Sequence, residues 1–273
     1  MKQSTIAAIA CLASSVFAHG GVYTYTIDGV DYPGYKFTEP PESQSNLIQR
    51  RWYYWPVEDP LSPNVTCSYD GSAVKDTYHA PVKAGDTITA SWSNNLTWDD
   101  PNGPFYCEPG STRDCFYRRW YHFYGPLMAY MADCGGDCST VDPAALKWFK
   151  IAEEGLKPGF TLGDTAGWEQ SALSRPGTKG WSVTVPKSLK PGNYMIRHEI
   201  LMIELMPPQF YPTCGQLKVE GSGTATPSED YLVKFPGAYS MEDPGIAISG
   251  VVYGELGRNT TEYIIPGPKV WTG

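Results

Sequence analysis

The sequence predicts an all-β fold, a β-sandwich carrying long loops, on three observations. Short stretches alternate apolar and polar residues with the period of a strand. Pro-Gly and Gly-rich turns separate them at frequent intervals. Aromatic residues make up 14% of the chain and hydrophobic residues 41%, enough for a packed core and too much for disorder.

Taken in order, the chain opens on a leader. Lys2 supplies a positive start, Ile6 to Val16 are largely apolar, and Val16-Phe17-Ala18 ends in a small residue suited to signal peptidase. Residues 1–18 are read as a signal peptide too short for a membrane anchor, and residues 19–273 as one domain beginning at His19. Val82–Asn94 contains a Lys-Ala-Gly-Asp turn feeding an alternating strand toward Trp92. Leu127–Ala132, Trp181–Val185, Asn193–Glu204 and Gly215–Val219 read as further strands. In the third of these, Ile196, His198, Ile200 and Met202 share one face. Asp142–Lys150 is the best helical candidate, with Asp142 as cap and Pro143 in the first turn. No internal repeat or Ser/Thr-rich linker suggests a second module.

Seven cysteines become six once Cys11 leaves with the leader, and an even count in an exported chain reads as disulfides. Cys134 and Cys138 are a local pair, Cys107 and Cys115 staple the stretch between them, and Cys67 is left with Cys214. Asn64, Asn95 and Asn259 head N-glycosylation sequons. The formal net charge is −8, with no Lys/Arg run, which disfavours a nucleic-acid partner. A secreted monomer acting on a neutral polymer, without a membrane partner, suits this composition better.

Only four histidines exist: His19, His79, His122 and His198. Cleavage after Ala18 would give His19 a free amine, which can chelate one metal together with its own imidazole Nδ1. A second imidazole completes a three-nitrogen set that suits Cu(II), the tightest binder in the divalent order.

Six blocks then carry a resemblance. They are His19-Gly20, the run Tyr124-Gly125-Pro126-Leu127-Met128-Ala129-Tyr130-Met131-Ala132-Asp133-Cys134, and Gly192-Asn193-Tyr194-Met195-Ile196-Arg197-His198-Glu199. Gln209-Phe210-Tyr211-Pro212-Thr213-Cys214, Phe235-Pro236-Gly237-Ala238-Tyr239-Ser240 and Ile265-Pro266-Gly267-Pro268 follow in the same order. Jointly the sequence resembles the fungal lytic polysaccharide monooxygenases of auxiliary activity family nine, once glycoside hydrolase family 61. The resemblance implies an immunoglobulin-like (fibronectin-like) β-sandwich with one copper ion on a flat face. It implies His19 and His122 as ligands, Tyr211 as axial neighbour and Gln209 as the donor that positions oxygen species. The implied reaction is oxidative cleavage of cellulose or a related β-1,4-glucan at C1, C4 or both. Oxygen or peroxide is the co-substrate, and a small phenolic, ascorbate or a partner dehydrogenase donates electrons.

Two departures stand out. His122 lies one position earlier, relative to Gly125-Pro126, than the family register, which calls for a bulged loop to restore its direction. Glu204 occupies the register of a family histidine near the metal, before a shortened loop, Leu205-Met206-Pro207-Pro208. A carboxylate does not copy a donating imidazole unless protonated, so altered oxygen chemistry is expected at Glu204. These departures favour a rival reading, a secreted copper-binding relative without oxygenase activity that serves wall remodelling or copper handling. Tyr23, Tyr25 and Tyr253 are candidates for a stacking surface on β-linked glucose. His198 and His79 read as structural, and Glu153-Glu154 as solvated carboxylates rather than a hydrolytic pair.

Overall fold

The computed structural model describes residues 19–94, 120–175 and 178–273. The expected leader, Asn95 and the expected Cys107–Cys115 pair lie outside the described residues.

Among the described residues nine strands form two sheets. The first has the order β2-β1-β4-β7, from β1 (Gly20–Ile27), β2 (Val30–Pro33), β4 (Thr87–Asn94) and β7 (Trp181–Thr184). The second has the order β3-β9-β8-β5-β6, from β3 (Ala80–Lys83), β5 (Leu127–Asp133), β6 (Phe149–Glu154), β8 (Gly192–Met202) and β9 (Gln209–Glu220). All pairings are antiparallel except β3 with β9. This is the expected β-sandwich.

Strands β5 and β8 are apolar on both faces because both faces are covered. Leu127, Ala129, Met131, Ile196, Ile200 and Met202 pack between the sheets with Val22, Ile88 and Trp92. Met128, Tyr130, Met195 and Leu201 instead pack beneath the loops with Trp148, Trp168 and Phe235. On that loop-covered face Arg197 grips Glu199 through two nitrogens, at 2.6 and 2.8 Å, and also bonds the Val65 and Thr66 carbonyls. Both residues are fully buried. The Cys67–Cys214 disulfide ties the same loop to β9, and Cys134–Cys138 closes a second loop. His79 accepts a hydrogen bond from the Cys138 amide at 3.1 Å, a structural role.

Three expectations need correction. Asp142–Lys150 is not a helix. Asp142 does cap a turn, accepting from the Ala144 amide at 3.0 Å, but the turn is a 3-10 one spanning Pro143–Ala145. Beyond it Trp148 pairs with the Val233 backbone and Phe149 with Met131, so large side chains and open sheet edges override the capping signal. Tyr25 does not reach a binding surface. A bulge between Val22 and Thr24 resets the alternation of β1, and Tyr25 lies fully buried with its hydroxyl donating to the Thr213 carbonyl at 3.4 Å. Glu153 is not simply solvated, since it accepts a 2.6 Å hydrogen bond from buried Lys150.

Two short helices, α1 (Pro244–Ala247) and α2 (Glu255–Asn259), occur among the described residues; Asn64 is half-buried in a 3-10 turn, and Asn259 is exposed at the end of α2. No helix among the described residues is long and apolar enough to cross a membrane.

Candidate metal centre

Three chain segments converge at one end of the sandwich. His19 stands immediately before β1, where Gly20 pairs with Asn94 of β4. A side chain at Gly20 would press its Cβ to 1.9 Å from the Ser93 carbonyl, so only glycine lets the chain start reach the sheet here. The β8–β9 hairpin brings in Glu204, Gln209 and Tyr211. The segment leading into β5 brings in Trp120 and His122. It stays paired to the end of β8, with Leu201 and Ile203 amides donating to the Pro126 and Tyr124 carbonyls. Gly125 makes that pairing possible: φ is +128°, and a Cβ would lie 1.9 Å from the Leu201 carbonyl.

The His19 and His122 rings lie 6.2 Å apart, and the Tyr211 ring is 6.1 Å from the first and 5.7 Å from the second. Nε2 of His122 faces the Tyr211 hydroxyl at 3.1 Å, and that hydroxyl donates to Gln209 Oε1 at 2.7 Å. Trp120 backs the group edge-on, 4.9 Å from Tyr211 and 5.5 Å from His122. Burial, then the neighbouring His122, lowers the His19 imidazole pKa to about 4, so it stays neutral and able to donate its lone pair over most of the acid range. Burial, then Glu204 and Glu58, pushes the Tyr211 phenol well above its usual range, so it remains a neutral hydroxyl. The set offers two imidazoles plus whatever main-chain amine His19 carries. Among the described residues no cluster of three or more His, Cys, Asp or Glu side chains is placed to hold a metal.

The family model described as Auxiliary Activity family 9 (formerly GH61) matches residues 19–258. The chain belongs to this family. It is thus an oxidative, polysaccharide-cleaving enzyme of a copper-dependent family. AA9 family lytic polysaccharide monooxygenase B of Heterobasidion irregulare is 40% identical over 271 residues, covering 98% of each chain. The crystal structure of HiLPMO9B superposes with a TM-score of 0.77 at 40% identity, over 93% of this chain and 100% of that one. A cellulose-active polysaccharide monooxygenase from M. thermophila gives 0.75 at 35% identity, with the same coverage.

Within this AA9 chain the sequence-derived residues separate clearly. His19, His122, Gln209, Tyr211 and Glu204 come together, and His122 reaches the group despite its shifted register. Glu204 arrives from an unexpected side. It meets His122 at Nδ1, at 3.7 Å, the nitrogen turned away from Tyr211. Tyr253 is 58% exposed, with its ring edge-on to Tyr124 at 5.4 Å. Tyr23 is half-buried against the cluster of Tyr35, Trp52 and Val74. His198 is fully buried between Tyr25 and Trp181, away from this set.

Sequence reasoning missed an aromatic arm on the other side of His19. Trp55 lies 5.4 Å from the His19 ring and stacks on Tyr54 at 5.0 Å, and Tyr54 continues to Tyr53 at 4.6 Å. Trp55 is 50% exposed. The run Trp52-Tyr53-Tyr54-Trp55-Pro56, four consecutive aromatics ahead of a proline, was the available signal.

Proposed function

We propose that this chain is exported, cleaved after Ala18, and oxidises cellulose or a related β-1,4-glucan at C1, C4 or both, with one copper ion held by His19 and His122. The reading rests on one observation above the rest: His19 and His122 converge beside Tyr211, with His122 Nε2 turned into the group. The donor set fits copper. A freed His19 amine, its Nδ1 and His122 Nε2 make three nitrogens, with a phenol rather than a carboxylate alongside. Copper supplies the one-electron chemistry by which oxygen or peroxide, with an external reductant, yields an oxidant able to break a sugar C–H bond.

The protein's own residues supply the rest. His122 must carry its proton on Nδ1, beside Glu204, to leave Nε2 free. Tyr211 spends its proton on Gln209 Oε1, which fixes the amide so that its NH2 is left to donate toward a reactant. Trp120 closes the inner side against water. Trp55 and Tyr253 offer exposed rings to the C–H faces of glucose units. A phenolic, ascorbate or a partner dehydrogenase is the electron source.

The test compares the protein beginning at His19 with a version carrying one extra residue before it. The first should bind Cu(II) tightly, release oxidised oligosaccharides from amorphous cellulose with a reductant, and lose both properties when extended. Equal Cu(II) affinity in the two forms refutes the proposed site.

A further inference from the structure

Glu204 stands where the family's register has a histidine, yet its surroundings are those of a clamp. The β5–β8 pairing sets Leu127 opposite Ile200. Continued through the Pro126 and Tyr124 carbonyl contacts, that register brings residue 204 opposite residue 123, next to His122. The carboxylate, 12% exposed, uses this position fully. Oε1 accepts from the Phe123 amide at 2.5 Å and the Tyr124 amide at 3.3 Å. Oε2 lies 3.7 Å from His122 Nδ1 and accepts from the Tyr253 hydroxyl at 3.4 Å.

These contacts answer a problem that the sequence creates. One extra residue between His122 and Gly125-Pro126 must be absorbed, and a residue added to a paired segment leaves backbone amides without sheet partners. Phe123 and Tyr124 are the residues concerned, and the Glu204 carboxylate takes both their amides. A histidine at 204 offers one acceptor nitrogen and could not serve two adjacent amides together with a phenol. The early His122 and Glu204 thus meet in one hydrogen-bonded unit.

We propose that Glu204 is a positioning residue for the His122 ligand. It holds the displaced 122–124 loop by its two amides and faces Nδ1, so that Nε2 alone is presented to the metal. The same carboxylate tethers the Tyr253 phenol, so the ligand loop and an exposed ring of the polymer-facing surface share one anchor. The proposal rests on the copper reading above. It gives Glu204 a positioning role beside the altered oxygen chemistry expected at that register.

The experiment uses the processed protein and Cu(II) alone. Removing a group that orients a metal ligand typically weakens metal binding 10–100-fold. Glu204→Ala should show a loss of about that size, with an altered electron paramagnetic resonance spectrum. Glu204→Gln keeps an acceptor oxygen for the two amides but turns its NH2 toward the His122 Nδ1–H, so it should bind Cu(II) more tightly than Glu204→Ala and more weakly than the parent. A native spectrum and affinity in Glu204→Ala overturns the proposal, as does a Glu204→Gln protein as impaired as Glu204→Ala. Should Glu204→Ala fold poorly, the metal-free Glu204→Gln protein decides by NMR. Its Phe123 amide should stay hydrogen-bonded, and loss of that hydrogen bond overturns the proposal. A parent protein that binds no Cu(II) defeats the copper reading instead, and is distinguished by that result alone.

Discussion

His198 makes the fold sensitive to acid in a way that can be isolated. Its imidazole is fully buried between the sheets, against Tyr25 and Trp181, and neither ring nitrogen has a protein hydrogen-bond partner. Burial alone lowers its pKa from 6.5 to about 3. The unfolded chain therefore takes up a proton near pH 6.5 that the folded chain refuses until about pH 3. The stability His198 permits is fully present above 6.5 and falls as pH drops through that window, with a slope of about 1.4 kcal/mol per pH unit. Between pH 7 and 4.5 this one group should remove about 2.5 kcal/mol, a large share of the 5–15 kcal/mol typical of a domain. His198→Leu swaps the imidazole for an apolar side chain of similar bulk and should lie within about 1.5 kcal/mol of the parent at pH 7. Urea unfolding of both proteins at pH 7, 6, 5 and 4.5 measures the difference, in which the other titrating groups cancel. The variant should gain on the parent steadily as pH falls. A difference that stays flat across the range would mean the imidazole is solvated or partnered, and would refute the reasoning.

Two further outcomes are expected. Replacing Cys67 and Cys214 together by alanine opens a loop closed across 147 residues, and chain entropy sets the loss of unfolding free energy at up to about 4–5 kcal/mol, read by thermal or urea unfolding. Trp55→Ala and Tyr253→Ala should each weaken adsorption to cellulose about two- to twelvefold, the 0.5–1.5 kcal/mol of one aromatic stacking contact, while leaving Cu(II) affinity unchanged in Trp55→Ala; unchanged adsorption in both removes these rings from the binding surface.

Much of the sandwich was legible because period and burial agree. Strand β4 alternates, and β5 and β8 read as apolar runs bounded by turns, which is what a strand covered on both faces must look like. The failures came where a local signal met a non-local partner. Asp142-Pro143 reads as a helix start, and it does cap a turn, but Trp148 and Phe149 find strand partners that no local pattern announces. Tyr25 sits where strict alternation misleads, because the bulge at Val22/Thr24 is invisible in sequence. At the metal centre, His122 and Tyr211 were reached through their blocks of residues rather than their spacing, being 89 positions apart. The register at Glu204 said which residue it replaces but not which nitrogen of His122 it faces. Trp55 was passed over as one ring among nine tryptophans and nineteen tyrosines.

The position of His19 at the threshold of β1 has a consequence for when the enzyme switches on. Sheet pairing starts at Gly20, so the sandwich owes nothing to the amine of the residue before it. On the copper reading, that amine comes into being only when the leader is cut. Precursor and mature protein would differ by the leader, and only the second would own a complete ligand set. Export would then double as activation, because the cut that removes the leader would also free the third nitrogen. Trimming one residue further by an aminopeptidase would disarm it as completely, leaving a stable protein with its chemistry erased.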